Sequence, residues 1–174
     1  MPLHIIIDGY NLIRNSKTLS PLDRQDLQQG RDALVDLLAA YKRIKAHRIT
    51  VVFDGPDVPH LYPSRDRIKG VEIRYSSAGK SADAVIKQMA AREREKAVVV
   101  SSDREVIQGA AAHMATVIDS PAFEAKVILA NQMADKGLPP ESESTGWRPT
   151  TRKKGPGKRL PKRKRRNRLK TGKL

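Results

Sequence analysis

The sequence predicts an α/β fold in which a mostly parallel five-stranded sheet carries helices on both faces. Short apolar segments recur along the chain, and longer segments with helical periodicity separate them. Strands joined through helices need crossover connections, which make neighbouring strands parallel. Three segments, Ile5–Ile7, Val51–Phe53 and Val98–Val100, are continuously apolar, as expected for strands covered on both faces.

The predicted strands are short, rich in apolar residues and bounded by Asp, Gly or Ser. They comprise residues 3–7, 49–53, 71–75, 97–101 and 115–118. A proline-rich loop through Pro63 separates the second strand from the third.

The predicted helices begin at residues that favour helix N-termini. Ser20-Pro21, with Asp23 completing a capping box, begins a long helix whose apolar stripe runs from Leu27 to Ile44. Three further helices begin near residues 81, 103 and 120 and end near residues 96, 112 and 136.

The basic residues are distributed unevenly along the chain. It has 174 residues, with 34 Lys and Arg against 19 Asp and Glu, and no Cys. Residues 148–174 hold 14 of the basic residues and no acid, so the rest is nearly neutral. Without Cys the chain has no disulfide, thiolate metal site or cysteine nucleophile. With no bilayer-length apolar run and no signal sequence, we expect a soluble cytoplasmic protein without a membrane partner.

This distribution predicts three regions: a domain over residues 1–137, a polar linker over 138–147 and a Lys/Arg-rich tail over 148–174. The only large apolar residues of the tail are Leu160, Leu169 and Leu174. Burial of so few apolar side chains cannot offset the conformational entropy that the tail would lose on folding. We therefore expect the tail to be disordered.

Aspartates follow several of the predicted strands. Asp8, Asp54 and Asp103 come at or just after strand ends, and Asp83 lies in the first turn of the helix after the third strand. Because the carboxyl ends of parallel strands share one edge of the sheet, all four are expected to converge there. Taken singly, each has an ordinary structural role: Asp54 in a turn, Asp83 at a helix dipole, Asp103 as an N-cap.

Converging carboxylates repel one another unless a proton or cation intervenes. Oxygen-rich sites of this kind suit Mg²⁺ or Mn²⁺, so the pattern predicts a divalent-cation site. Asn11 is placed to hold a carboxylate or substrate oxygen, or is an ordinary turn residue. Asp119, which also follows a strand, is expected only to cap a helix.

Four motifs resemble those of the YacP-like NYN family, which belongs to the PIN-like nucleases. They are Asp8-Gly9-Tyr10-Asn11-Leu12-Ile13, Val51-Val52-Phe53-Asp54-Gly55, Ser81-Ala82-Asp83 and Ser101-Ser102-Asp103. The resemblance covers roughly residues 3–135. It implies a Rossmann-like three-layer fold, an acidic metal-binding pocket and endoribonuclease activity. By motif, Asp8, Asp83 and Asp103 match the family's acidic positions, Asn11 its associated polar residue and Asp54 a recurrent acidic position.

The basic tail predicts binding to a polyanion, since it lacks acids and its cations are spaced by Gly and Pro. A solvated charge run and a nuclear localisation signal are the alternatives. Lys80, at a helix start, either contacts an RNA phosphate or is an exposed surface residue. The candidate RNA-binding residues are Lys80, Arg152, Lys153, Lys154, Lys158, Arg159, Lys162, Arg163, Lys164, Arg165 and Arg166.

The leading hypothesis is a metal-dependent endoribonuclease that the tail recruits to RNA, such as mRNA or the ribosome. The second is a non-catalytic RNA- or ribosome-binding protein with a vestigial nuclease site, and the third is a nuclease of the same fold that acts on DNA. Tyr10, next to Asp8, either stacks on a base or is a packed aromatic at the rim of the pocket.

Overall fold

The computed structural model describes residues 2–55, 65–77, 79–137 and 162–174. Its centre is a six-stranded sheet in the order β3-β4-β2-β1-β5-β6, in which only the β3–β4 pair is antiparallel. The strands are β1 (His4–Asp8), β2 (Arg48–Phe53), β3 (Arg65–Ile68), β4 (Val71–Tyr75), β5 (Ala97–Val100) and β6 (Thr116–Ile118). The predicted α/β class and mostly parallel sheet are confirmed.

Helices cover both faces of the sheet. They are α1 (Gly9–Asn15), α2 (Ser20–Gln25), α3 (Leu27–Ile44), α4 (Ala82–Glu93), α5 (Arg104–Ala112), α6 (Ser120–Asp135) and α7 (Lys162–Gly172). Ile5 and Ile7 belong to a core with α3 and α6, whereas Ile6 belongs to a separate core with α4 and α5. This alternation along β1 gives the three-layer arrangement. None of the described helices is long and apolar enough to cross a bilayer.

The sheet has one strand more than the five predicted. All four residues of β3 are exposed, so the strand carries no apolar pattern that marks it in the sequence. It pairs with β4 through a tight turn at Lys69 and Gly70, both of which have positive φ. The hydrogen bonds of this hairpin, and not burial, define the strand.

The long helix predicted from Ser20 to Ile44 is two helices. The break falls at Asp26, whose side chain accepts a hydrogen bond from the Gln28 amide and so caps α3. The stretch after Asp8, where the sequence predicted no helix, is the short helix α1, because the Asp8 side chain accepts from the Asn11 amide and caps it.

The prediction of a disordered tail is wrong for residues 162–174. Residues 162–172 form α7, and the Leu174 side chain is buried in the core that contains α3 and α6. Charge density alone hides this packing, because the contacts come from elements that lie 51 to 133 positions away in the chain. The predicted linker, residues 138–147, and residues 148–161 lie outside the described residues.

Candidate active site

The candidate site lies at the edge of the sheet where β1, β2 and β5 end, which we call the carboxyl edge. Neighbours of β1 are β2 on one side and β5 on the other, so the chain changes direction across the sheet beside β1. Asp8 ends β1, Asp54 follows β2 and Asp103 follows β5. In open α/β sheets such a switch point is where ligands bind.

Asp8 is the most buried carboxylate at this edge, with 8% of its surface exposed. Its Oδ1 accepts from the Asn11 backbone N–H at 3.3 Å, and its Oδ2 accepts from the Ser101 hydroxyl at 3.2 Å. Burial raises the pKa of Asp8, and the negative charges of Asp83 and Asp54 add to this; against the two hydrogen bonds, which lower it, the pKa reaches about 6. Asp8 is therefore a carboxylate held in an unfavourable electrostatic environment.

Ser101 connects Asp8 to the start of α5. It is fully buried; its hydroxyl donates to Asp8 and accepts from the backbone N–H of Asp103 at 3.1 Å. Ser101 lies in one of the four sequence motifs, but no role was predicted for it. Its place directly after an apolar strand and two residues before Asp103 was the available signal.

Asn11 ties three elements together beneath the carboxyl edge. Its side-chain oxygen accepts from the Ser102 backbone N–H and from the Ser120 hydroxyl, each at 2.8 Å. These bonds join α1 to the loop after β5 and to the first residue of α6. The amide oxygen thus acts within the protein framework, which makes Asn11 a positioning residue.

Asp54 directly follows β2, and Asp83 lies in the first turn of α4. The Asp54 side chain accepts from the Ala82 backbone N–H at 2.7 Å and so holds the first turn of α4. Burial raises the pKa of Asp83, and the charges of Asp103, Asp54 and Glu105 add to this while Lys87 opposes it. Asp83 therefore lies within electrostatic reach of the other three predicted aspartates.

Two of the ordinary structural roles considered for these aspartates are present. Asp103 caps α5 by accepting from the Glu105 backbone N–H at 2.7 Å, and Asp83 lies in the first turn of α4, as expected for an acid at a helix dipole. Asp119 occupies the expected N-cap position of α6, but its side chain makes no capping hydrogen bond.

Two glycines let the backbone come close at this edge. A Cβ on Gly9 would lie 2.3 Å from a ring carbon of Phe53, and one on Gly55 would lie 2.2 Å from the Ser76 carbonyl oxygen. In each Asp-Gly pair, the glycine after the carboxylate lets the backbone pack closely against a neighbouring residue, and any larger residue there would clash.

An aromatic and cationic cluster flanks the carboxylates. The Tyr10 ring meets Phe53 edge-on, with centroids 5.0 Å apart. The guanidinium groups of Arg14 and Arg31 lie 5.4 and 5.9 Å from the Tyr10 centroid. Tyr10 is thus packed at the rim of the site, with two guanidinium groups over its ring.

The donor chemistry fits a hydrated divalent cation. Asp8, Asp54, Asp83 and Asp103 make no salt bridge with the described Lys, Arg or His side chains, and oxygen donors suit Mg²⁺ and Mn²⁺. Among the described residues, no three His, Asp or Glu side chains are grouped so that they could hold an ion. Mg²⁺ usually keeps several waters and takes one or two carboxylates. The edge therefore fits an ion with one or two protein ligands.

The predicted RNA-binding residues are spread over the chain. Lys80 is exposed directly before the cap of α4. Lys162 and Arg163 begin α7, Lys164 and Arg165 are exposed on it, and Arg166 pairs with Glu95. The remaining candidates, Arg152, Lys153, Lys154, Lys158 and Arg159, lie outside the described residues.

The sheet order, the three layers and the acidic carboxyl edge together define a PIN-like nuclease fold. The family model of the YacP-like NYN domain matches residues 5–169, nearly the whole chain. The chain belongs to this family. The match continues through most of α7, beyond the residues 3–135 that the sequence motifs covered.

Individual relatives agree with this assignment. The chain is 29% identical over 86 residues to a Bacillus subtilis (strain 168) protein named "Uncharacterized protein YacP", across 49% of this chain and 50% of that protein. The match thus spans about half the length of that relative. Two crystal structures of Rae1 (YacP) from Bacillus subtilis share 22% and 24% identity with the chain, each with a TM-score of 0.64. The superposed regions cover 78–79% of this chain and 79–80% of the Rae1 chains, and they show that the proteins share a fold.

Proposed function

We propose that this chain is a metal-dependent endoribonuclease whose reaction takes place at the carboxyl edge. The observation that carries the proposal is the Asp8 carboxylate, buried beside Asp54 and Asp83 without a cationic partner among the described residues. A structural role alone does not account for this arrangement, because unpaired buried carboxylates reduce stability. Membership of a nuclease-like family supports the same class of reaction.

The residues of the edge have distinct roles in this proposal. Asp8, Asp83 and Asp103, with Asp54 beside them, would hold Mg²⁺ or Mn²⁺, directly or through water. The bound ion would lower the pKa of a water molecule and stabilise charge on the phosphate. Ser101 and the Asn11 backbone N–H orient the Asp8 carboxylate, and the Asn11 side chain fixes α1 against the loop that carries Asp103.

The expected substrate is the phosphodiester backbone of RNA. Attack of a water oxygen on phosphorus with departure of the 3′ oxygen leaves 5′-phosphate and 3′-hydroxyl ends. Because the rest of the chain is nearly neutral, an acidic edge attracts RNA weakly, and the basic residues of 148–174 would supply recruitment to structured RNA such as mRNA or the ribosome. For such a role we expect a cytoplasmic location.

Cleavage of labelled RNA tests the proposal. Wild-type protein is incubated with Mn²⁺ or with a chelator, beside Asp8→Asn and a control Asp135→Asn, which changes an exposed carboxylate at the end of α6. We expect cleavage only with the ion, loss of at least about a hundredfold in Asp8→Asn, and full activity in the control. Cleavage that persists in both chelator and Asp8→Asn would refute the metal mechanism.

A second candidate function is RNA binding without cleavage. The observation in its favour is that the described His, Asp and Glu side chains form no ready group of three ligands. Tight, salt-sensitive binding with no cleavage of varied RNAs would support it. Parallel DNA substrates separate both candidates from a DNA-directed nuclease of the same fold.

A further inference from the structure

We propose that the outward face of α7, formed by Lys164, Arg165 and Arg168, is a docking surface for RNA phosphates at the end of the sheet opposite the carboxyl edge. The inference rests on the proposed function, because it takes RNA as the partner. It adds the place where RNA binds and the length that an RNA needs to contact both α7 and the carboxyl edge. RNA that reaches both α7 and the carboxyl edge has to pass along the side of the domain.

The end of α7 is anchored in the core. Leu174 is 5% exposed and packs in the cluster that contains α3 and α6. Its carbonyl oxygen accepts a 2.6 Å hydrogen bond from the hydroxyl of Tyr41, a fully buried residue near the end of α3. His47 also contacts the Lys173 carbonyl oxygen at 3.3 Å. The helix is thus held to the domain at a defined place.

A second anchor holds the middle of the helix. Arg166 pairs with the Glu95 side chain, and Lys170, one turn later, donates to the Glu95 carbonyl oxygen. Asn167 accepts from the Thr116 hydroxyl at 3.3 Å. Residues 166, 167 and 170 lie on one side of a helix, so this side faces the domain.

The opposite side of α7 presents unpaired positive charge. Lys164, Arg165 and Arg168 are exposed, and none of them forms a salt bridge with a described Asp or Glu. Residues 148–174 contain no acid at all. Exposed cations that no carboxylate neutralises are the ordinary means by which proteins bind phosphate backbones without reading sequence.

The contacts of α7 place it at the amino ends of the strands. Thr116 begins β6, Glu95 precedes β5 and His47 precedes β2, whereas Asp8 and Asp103 lie where β1 and β5 have ended. Strands of four to five residues separate the two ends by about 15 Å in a straight line, and by more along the surface. The docking surface is therefore remote from the reacting phosphate.

This separation predicts a dependence on RNA length. One strand of a duplex advances about 3.4 Å along the helix axis per phosphate. A trinucleotide has only two linking phosphates and is too short to reach from the carboxyl edge to α7. An RNA of about 40 nucleotides can reach both. Only the longer RNA should benefit from the α7 cations during cleavage.

The test uses the full chain with Lys164→Gln, Arg165→Gln and Arg168→Gln combined. The control combines Lys17→Gln, Arg24→Gln and Arg67→Gln, which removes the same charge from exposed positions on other elements. Binding of the 40-nucleotide RNA is measured against salt in both, with and without Asp8→Asn. We expect the α7 variant alone to lower the slope of log affinity against log salt by about two, equally in both backgrounds.

Cleavage is then measured on both RNAs. We expect kcat/KM of the α7 variant to fall at least about tenfold on the 40-nucleotide RNA and to stay unchanged on the trinucleotide. An unchanged salt slope overturns the docking surface, including the case in which α7 binds an acidic protein instead. Equal losses of kcat/KM on both RNAs overturn the claim that the docking surface is remote from the reacting phosphate. Absence of cleavage with a reduced salt slope overturns the proposed nuclease function and leaves the docking surface standing.

Discussion

The Ser101 hydroxyl donates a hydrogen bond to the Asp8 carboxylate across 93 positions of sequence, at 3.2 Å. The same hydroxyl accepts from the Asp103 backbone N–H, so a single buried oxygen aligns two of the predicted catalytic aspartates. We therefore expect Ser101→Ala to alter the positions of both Asp8 and Asp103, because the lost hydroxyl bonds both residues. The pKa of Asp8 should rise above its value of about 6, because a hydrogen bond that favours the carboxylate is lost.

An NMR titration of the Asp8 carboxyl in wild-type and Ser101→Ala protein checks this. RNA cleavage should fall about tenfold or more, and stability by about 1–2 kcal/mol. Ser102→Ala is the matched control, since the Ser102 side chain accepts from the Ser120 N–H and does not bond Asp8. Equal effects on the Asp8 pKa in the two variants would contradict the role given to Ser101.

Asp8→Asn should stabilise the metal-free protein at neutral pH. The pKa of Asp8 is raised from 3.8 to about 6 in the folded protein, so the folded state holds the proton more tightly than the unfolded state. The stability that this proton contributes is present below pH 3.8 and is lost as the pH rises through about 6. At pH 7 the ionised carboxylate therefore costs up to about 3 kcal/mol, which the uncharged Asn avoids.

Denaturant unfolding in the presence of a chelator tests this at pH 4 and at pH 7. The advantage of Asp8→Asn over wild type should be large at pH 7 and small at pH 4. A difference that is the same at both pH values would show that the Asp8 carboxylate is not destabilised by burial.

Gly9→Ala should destabilise the protein, whereas Gly109→Ala should not. A Cβ at Gly9 meets the packed Phe53 ring at 2.3 Å, so we expect a loss of about 1–3 kcal/mol. A Cβ at Gly109 meets only the flexible Lys87 side chain, and Ala is the better residue inside α5. Thermal unfolding of the two variants measures the contrast, and comparable losses in both would refute the explanation for Gly9.

Tyr41→Phe should loosen α7 without unfolding the sheet. Burial raises the pKa of Tyr41, so its phenol stays protonated and donates to the Leu174 carbonyl oxygen. Its removal leaves that oxygen unpaired at a cost of about 1 kcal/mol. Hydrogen exchange should quicken in residues 162–174 and remain slow in β1 and β5; unchanged exchange in α7 would show that this bond does not anchor it.

Several features of the fold could be predicted from local sequence. The continuous apolar runs around Ile6, Val52 and Val99 identify buried parallel strands, because only strands covered on both faces need apolar side chains at every position. Strand β3 could not be found in this way, since its residues are exposed and backbone pairing alone defines it. The break at Asp26 was hidden because the apolar stripe begins only at Leu27, and α2 before it buries no residue that would mark a separate helix.

The candidate site divides in the same way. The order of strands and helices placed Asp8, Asp54 and Asp103 at one edge, since parallel strands end together. The burial of Asp8, its bond to Ser101 and the commitment of the Asn11 oxygen depend on neighbours that are far away in the chain. No local pattern encodes them.

By itself, the sequence determined the alternation of strands and helices, the positions of the aspartates along the chain and the concentration of positive charge after residue 147. The tertiary structure alone decided which carboxylate is buried and where the basic helix lies. The physical reason is that a pattern of apolar or charged residues indicates whether each side chain favours burial or solvent. Whether the side chain is in fact buried or hydrogen-bonded depends on which distant element of the chain packs against it. The Leu174 side chain and the Tyr41 hydroxyl meet only because α3 and α7 pack together in the folded chain.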